Sequence, residues 1–212
     1  MRWSLVVPVK HLGRAKSRLA PALGPHREGL ALAIACDTVA AALACPAVAG
    51  VFAVTEDPRA GAELAALGAV VVTGEPGTGL NPALAHGARA ARWVSPEAGV
   101  CALSADLPAL RSSELARVLA AAAGHGRSFL ADSPGVGTTL YAATPGSRFA
   151  PAFEGASRER HLASGARELL LADVESVRRD VDTLDDLTAA LALGAGPRTL
   201  RLAVAVLEER TP

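Results

Sequence analysis

"WSLVVPVKHLGRAKSRL", Trp3 to Leu19, decides how the chain is read. Its first seven residues form a continuous apolar run rather than an alternating one, as expected of a strand buried on both faces. The run then breaks into Lys10, His11, Arg14, Lys16 and Arg18, with no acid among them. A buried strand that opens into a cationic loop places charge at the strand's carboxyl end. In α/β sheets that edge is where ligands bind.

The same alternation continues along the chain. Residues 26–45, "HREGLALAIACDTVAAALAC", carry apolar residues at helical spacing and stop at Pro46. "GVFAVT" (50–55) reads as a strand, with Asp57 capping a helix over 58–68, and "AVVVT" (69–73) as another strand. The glycine-rich "GEPGTGL" (74–80) is a loop, after which Asn81 as N-cap and Pro82 at the first position predict a helix through Val94. "GVCALSAD" (99–106) is a strand, followed by a helix from Ser112 or Ser113. "RSFLA" (127–131) and "TTLYAAT" (138–144) read as strands flanking "DSPGVG". A helix from Ser157, a strand within 166–174, and a helix capped by Thr183 or Asp185 complete the pattern. Strands alternating with helices predict one α/β domain over residues 1–212, a mainly parallel sheet in a three-layer α/β/α, Rossmann-like arrangement.

Composition narrows the function classes. The 212 residues hold 21 basic and 21 acidic side chains, so no global field favours nucleic acid or a membrane surface, and any electrostatic role is local. Lysine occurs only at positions 10 and 16, both in the opening loop. Cys36, Cys45 and Cys101 are odd in number and lack CxxC spacing, which fits reduced thiols in the cytoplasm. No apolar run is long enough for a signal peptide or a span. The apolar segment "LRLAVAVLEE" (200–209) is expected to pack on the chain's own sheet or on a partner subunit, which leaves a homodimer open.

Polar content gathers at four strand or helix boundaries: the basic loop, "GEPGTGLN", "SADLPAL" with Asp106, and "RDVDTLDDL" with Asp180, Asp182, Asp185 and Asp186. Each has a bland reading: a solvated surface loop, a linker, a turn before Pro108, and acids in a helix's first turn. "GEPGTGL" lacks the lysine–hydroxyl pair of a Walker A loop. Taken together on one sheet edge, separated carboxylates suit a hard divalent cation such as magnesium, and a basic loop opposite them suits phosphate oxygens. That pairing predicts a nucleoside triphosphate site with metal-assisted transfer at phosphorus. No GxSxG or serine–histidine pairing is present, and His161, in "ASRERHLASG", reads as a helix-surface histidine.

"VPVKxLxxAKSRL", "GLNxAL", "LxADLPAL", "GTT", "FxGxSxxxH" and "DVDTxxDL" occur in this order over about residues 5–190. In this the chain resembles the guanylyltransferases of deazaflavin coenzyme biosynthesis, which act on phosphoenolpyruvate or 2-phospho-L-lactate. The resemblance implies a fold of the nucleotide-diphospho-sugar transferase type, with GTP and magnesium. It also implies transfer of GMP to a three-carbon phospho-acid with release of pyrophosphate, and the downstream deazaflavin transferase as a partner. By motif, Lys10, Arg14, Lys16 and Arg18 would grip the triphosphate, and Gly79 and Asn81 would lie against the nucleotide. Asp106 and Asp182 would hold metal, with Asp180 as the alternative to Asp182. Thr139, Glu154, Gly155 and Ser157 would hold the acid. Glu154 stands where the family motif has glycine, so the acceptor side departs from the pattern. Two readings stay beside this one: a sugar-phosphate or molybdopterin-cofactor nucleotidyltransferase of the same fold, and a non-catalytic nucleotide-binding domain.

Overall fold

The computed structural model describes residues 1–208. The strands are β1 Trp3–Pro8, β2 Val48–Val54, β3 Val70–Val72, β4 Gly99–Leu103, β5 Arg127–Ala131, β6 Thr138–Ala143 and β7 Arg167–Glu168. The helices are α1 Ala20–Leu23, α2 Arg27–Leu43, α3 Pro58–Ala66, α4 Leu80–Val94, α5 Ser112–Ala122, α6 Ser157–Ala163, α7 Glu175–Arg178, α8 Leu184–Leu193 and α9 Pro197–Glu208. The apolar runs thus become strands and the alanine-rich stretches helices.

The strands form one sheet in the order β3-β2-β1-β4-β6-β5-β7. β1 pairs parallel with β2 and β4, β2 with β3, and β5 with β7, while β6 runs antiparallel to both β4 and β5. The reversal matters for the site. It carries the amino end of β6, Thr138 and Thr139, to the edge where β1 and β4 end, and Ser104 N–H donates to Thr139 O at 2.8 Å.

One face of the sheet is covered by α2, α3 and α5, whose Leu32, Cys36, Val39, Leu64, Leu115 and Leu119 join Leu5, Val7, Val51 and Leu103 in a core. The other face takes α4, with Ala83, Leu84, Ala88 and Ala91 packed on Val6, Phe52, Val54, Val100 and Tyr141. The three layers follow from the doubly buried strands. Gly87 lets α4 lie against the sheet, since a Cβ there would sit 2.5 Å from Val6 Cγ1 and Val54 Cγ2.

Two local expectations change, and the strand expected within 166–174 is present but short. α4 begins at Leu80 with Gly79 (φ 124°) as its N-cap, so Asn81 lies inside the first turn. Its amide is occupied elsewhere: Oδ1 accepts from Phe153 N–H at 2.8 Å and Nδ2 donates to Phe153 O at 3.2 Å. The strand after residue 166 is only Arg167–Glu168. The C-terminal segment forms α9, which packs on α2 rather than on the sheet. Asp37 of α2 accepts from Thr199 N–H at 2.7 Å and Arg198 N–H at 3.3 Å, capping the incoming helix. Glu209, the last residue of that segment, lies outside the described residues. No described helix is long and apolar enough to cross a membrane.

Candidate active site

The basic loop follows β1 directly. Val9 N–H still donates to Val54 O at 2.8 Å, after which the chain makes two short 3₁₀ turns, Leu12–Arg14 and Ser17–Leu19. Leu12 and Leu19 bury their side chains and anchor it. Two polar groups outside the loop hold its main chain. Arg27, the first residue of α2, donates to the carbonyls of Leu12 (3.1 Å), Gly13 (3.0 Å) and Ala15. Asp57 caps α3 with Oδ1 on Arg59 N–H and Ala60 N–H, both 3.0 Å, and with Oδ2 accepts from Leu12 N–H at 2.9 Å. Burial opposes the charge of Asp57, but these amides and His11 outweigh it and hold its carboxyl below the usual range.

With its backbone secured in this way, the loop does not need its cations to hold its own main chain. The side chains of Lys10 and Arg14 have no hydrogen-bond or ion-pair partner among the described residues. Arg18 makes a 3.7 Å contact to Asp182. Lys16 turns inward through a left-handed backbone (φ 52°), a conformation that side chains seldom adopt and that recurs at functional sites. Its ammonium lies 2.6 Å from Asp106 Oδ2 and 3.0 Å from Asp182 Oδ1. Burial works against this charge, yet the two carboxylates prevail and hold Lys16 above its ordinary range.

Asp106 sits just past β4, at the sheet edge. Leu107 N–H donates to Thr38 Oγ1 at 3.0 Å, and Val181 N–H donates to Asp106 O at 3.1 Å. The second bond draws the distant segment 180–182 to the strand end. Asp182 precedes α8, whose cap is Thr183 with Asp186 in a reciprocal capping box. Asp180 is pushed up to about 7, first by burial and then by the charges of Asp106, Asp182 and Asp132. Asp182 thus meets Asp106 across the Lys16 ammonium, and Asp180 lies within electrostatic reach of both.

A cavity of about 370 Å³ opens over this cluster, its wall including Lys10, Arg14, Lys16, Arg18, Asp106 and Asp182. Leu80, next to the Gly79 cap, also lines it, whereas Asn81 is turned to Phe153. The donor set suits a hard cation: two carboxylates already share one positive group, the Lys16 ammonium, as they would share a metal. Among the described residues no three acidic, imidazole or thiol side chains converge on one point, so phosphate and water would have to complete a metal's shell.

The residues that the sequence leads one to expect on the acceptor side lie on or near β6 and α6. Thr139 is fully buried and donates its hydroxyl to Val177 O at 2.6 Å. Ser157 opens α6 and is buried, its N–H donating to Gly155 O at 2.7 Å. Glu154 (φ 81°) and Gly155 (φ 48°) are successive left-handed residues, and the Glu154 side chain is exposed. The sequence reading of His161 as a surface residue is overturned. The ring is completely buried, stacked on Tyr141 at 4.9 Å and flanked by Phe129 and Phe153. Burial, helped by the neighbouring Arg160 charge, holds it at about 4. Its neighbours Arg158, Glu159 and Arg160 disguise it in the sequence. Arg27 and Asp57 went unnoticed as loop supports because their partners are main-chain groups far along the chain.

Fold and site together suit a nucleotidyltransferase: the cavity at the strand edge is lined by both cations and carboxylates. The model of the MobA-like NTP transferase domain matches residues 25–177. The chain is 66% identical over 203 residues to phosphoenolpyruvate guanylyltransferase of Thermomonospora curvata, covering 96% of this chain and 89% of that one. It is 64% identical over 208 residues to the Streptomyces coelicolor enzyme of the same name, covering 98% of each. Among solved structures, a Desulfovibrio desulfuricans G20 protein assigned to the nucleotide-diphospho-sugar transferases superposes with a TM-score of 0.70 at 17% identity, over 99% of this chain and 98% of that one. A manganese complex of Rv0371c from Mycobacterium tuberculosis superposes at 0.50 and 19%, over 91% and 99%. The chain belongs to the phosphoenolpyruvate guanylyltransferase family, within the MobA-like NTP transferases.

Proposed function

We propose that the chain transfers GMP from GTP to phosphoenolpyruvate and releases pyrophosphate. The observation that carries this reading is Lys16, held between Asp106 and Asp182 on the wall of a cavity that Lys10, Arg14 and Arg18 also line. The acceptor is assigned from the relatives named for it, with 2-phospho-L-lactate as the other three-carbon acid to test.

An ionised acceptor phosphate is already a nucleophile, so the protein need not supply a strong base. Its oxygen forms a bond to the α-phosphorus of GTP as the bond to the β-phosphate bridging oxygen breaks, with the two oxygens in line. Lys10, Arg14 and Arg18 neutralise and orient the triphosphate, and Lys16 follows charge onto the departing pyrophosphate. A magnesium ion held by Asp106 and Asp182, with Asp180 at hand, would supply further neutralisation across the reacting phosphates. Gly155 and Ser157 hold the acid beside the end of β6 at Thr139, whose own hydroxyl is taken by Val177 O, and the outward Glu154 keeps a second carboxylate away from it. The turn from Gly74 to Asn81 lies beside the guanine. We place the enzyme in the cytoplasm, working as one domain and passing its product to the deazaflavin transferase.

The test is pyrophosphate release from GTP and magnesium with each acid in turn, the deazaflavin transferase present to draw off the product. Release with phosphoenolpyruvate, and much less with CTP, UTP or ATP, is expected. No release with either acid would overturn the reading.

A further inference from the structure

Of the five histidines only His161 is fully buried, and none of its polar capacity is left over. Ala152 N–H donates to Nε2 at 2.8 Å, which requires a lone pair there. The ring proton therefore sits on Nδ1, which donates to Thr138 Oγ1 at 3.0 Å. Phe129, Tyr141 and Phe153 enclose the ring and hold it in one orientation. A sealed, neutral imidazole of fixed tautomer is not a general base. It is a two-ended tie between segments that lie outside one another's hydrogen-bond ladders.

Its two ends are informative. Thr138 precedes Thr139 at the amino end of β6, and Ala152 and Phe153 immediately precede the left-handed pair Glu154–Gly155. The segment at Ala152–Phe153 belongs to no strand or helix, and side chains take all its main-chain polar groups. His161 takes Ala152 N–H, Arg160 takes Ala152 O and shares Phe153 O, and Asn81 takes Phe153 N–H and O. We infer that His161 is a positioning residue for the acceptor: by tying Thr138 to Ala152 it sets the separation between Thr139 and Gly155–Ser157, the groups between which the three-carbon acid is held. This rests on the acceptor assignment proposed above.

The experiment measures KM for each substrate, kcat and melting temperature in His161→Phe, Thr138→Val and Ser157→Ala. Phenylalanine keeps the ring in its aromatic enclosure and removes both hydrogen bonds. Valine keeps the shape of threonine and removes only the Nδ1–H acceptor. His161→Phe should raise KM for phosphoenolpyruvate about tenfold or more, with KM for GTP within about twofold and a kcat loss smaller than the KM change. Thr138→Val should move the same constant in the same direction by about threefold, and it decides the matter if the phenylalanine variant fails to fold. Equal rises in both KM values, or no rise in either variant, would overturn the inference while leaving the acceptor assignment intact, provided Ser157→Ala still raises the acceptor KM. An acceptor KM untouched by Ser157→Ala would overturn the assignment itself, and the inference with it.

Discussion

Two irregular segments lie near the carboxyl edge of the sheet, and they are stabilised in opposite ways. Residues 10–19 are fixed through their main chain by Arg27 and Asp57, so their own cations remain available to the cavity. Residues 152–157 are fixed by His161, Arg160 and Asn81, all of them neutral contacts or donors to carbonyls, around a buried aromatic cluster. The first segment displays charge, and the second displays a backbone shape. That division suits the two substrates proposed above: phosphates are gripped by charge at modest geometric precision, whereas a small planar acid must be recognised by the spacing of a few donors.

The strongest way to break this contrast is at the carboxylates. Asp106→Asn should lower kcat by about a hundredfold or more, roughly 3 kcal/mol of transition-state stabilisation, while circular dichroism stays native. Turnover near the parental rate would remove Asp106 from the metal assignment. Next comes acid. Unfolded, His161 titrates near 6.5, and folded it titrates at about 4. Between those values the unfolded chain binds the extra proton, so stability is full above pH 6.5 and falls as pH drops toward 4. The loss approaches about 3 kcal/mol, at about 1.4 kcal/mol per pH unit. Urea titrations at pH 7 and pH 4.5 should show this loss in the parent chain and a smaller one in His161→Phe. Equal losses in the two chains would mean that the imidazole is not the acid-sensitive tie.

The loop supports should give smaller effects. Arg27→Met strands three carbonyls and should raise KM for GTP by about tenfold, with KM for the acid little changed. A rise confined to the acid would invert the assignment of the two segments. Asp57→Ala should cost about 1–2 kcal/mol in chemical denaturation, since it deletes a helix cap and the acceptor for Leu12 N–H together. Its GTP KM should rise less than that of Arg27→Met.

What could be read from the chain depended on how local each signal was. Asp57 and Thr183 were visible as caps because a cap and its helix are neighbours in sequence. The continuous apolar runs reveal the parallel strands, whereas the acids of "DVDT", which alone read as a helix's first turn, gain weight only beside Asp106 and the basic loop. His161 was hidden because its enclosure comes from Phe129, Tyr141 and Phe153, which no spacing rule connects to a helix reading Arg-Glu-Arg-His. Asn81 reads as a cap because asparagine before proline so often is one. Its true partner, the Phe153 main chain, lies 72 residues on. The packing of α9 on α2 is tied by Asp37, a buried acid midway along a helix whose other charged side chains, Arg27 and Glu28, stand in its first turn.

The ion pairs of Lys16 join residues 90 and 166 positions apart. Closing loops of that length comes late in folding, after local pairings such as β5 with β6 have lowered the entropy still to be lost. During synthesis, then, a ribosome must release residue 182 before the carboxylate pair exists at all. Most of the sheet can stand before the molecule is an enzyme, and recovery of turnover on refolding should trail recovery of secondary structure.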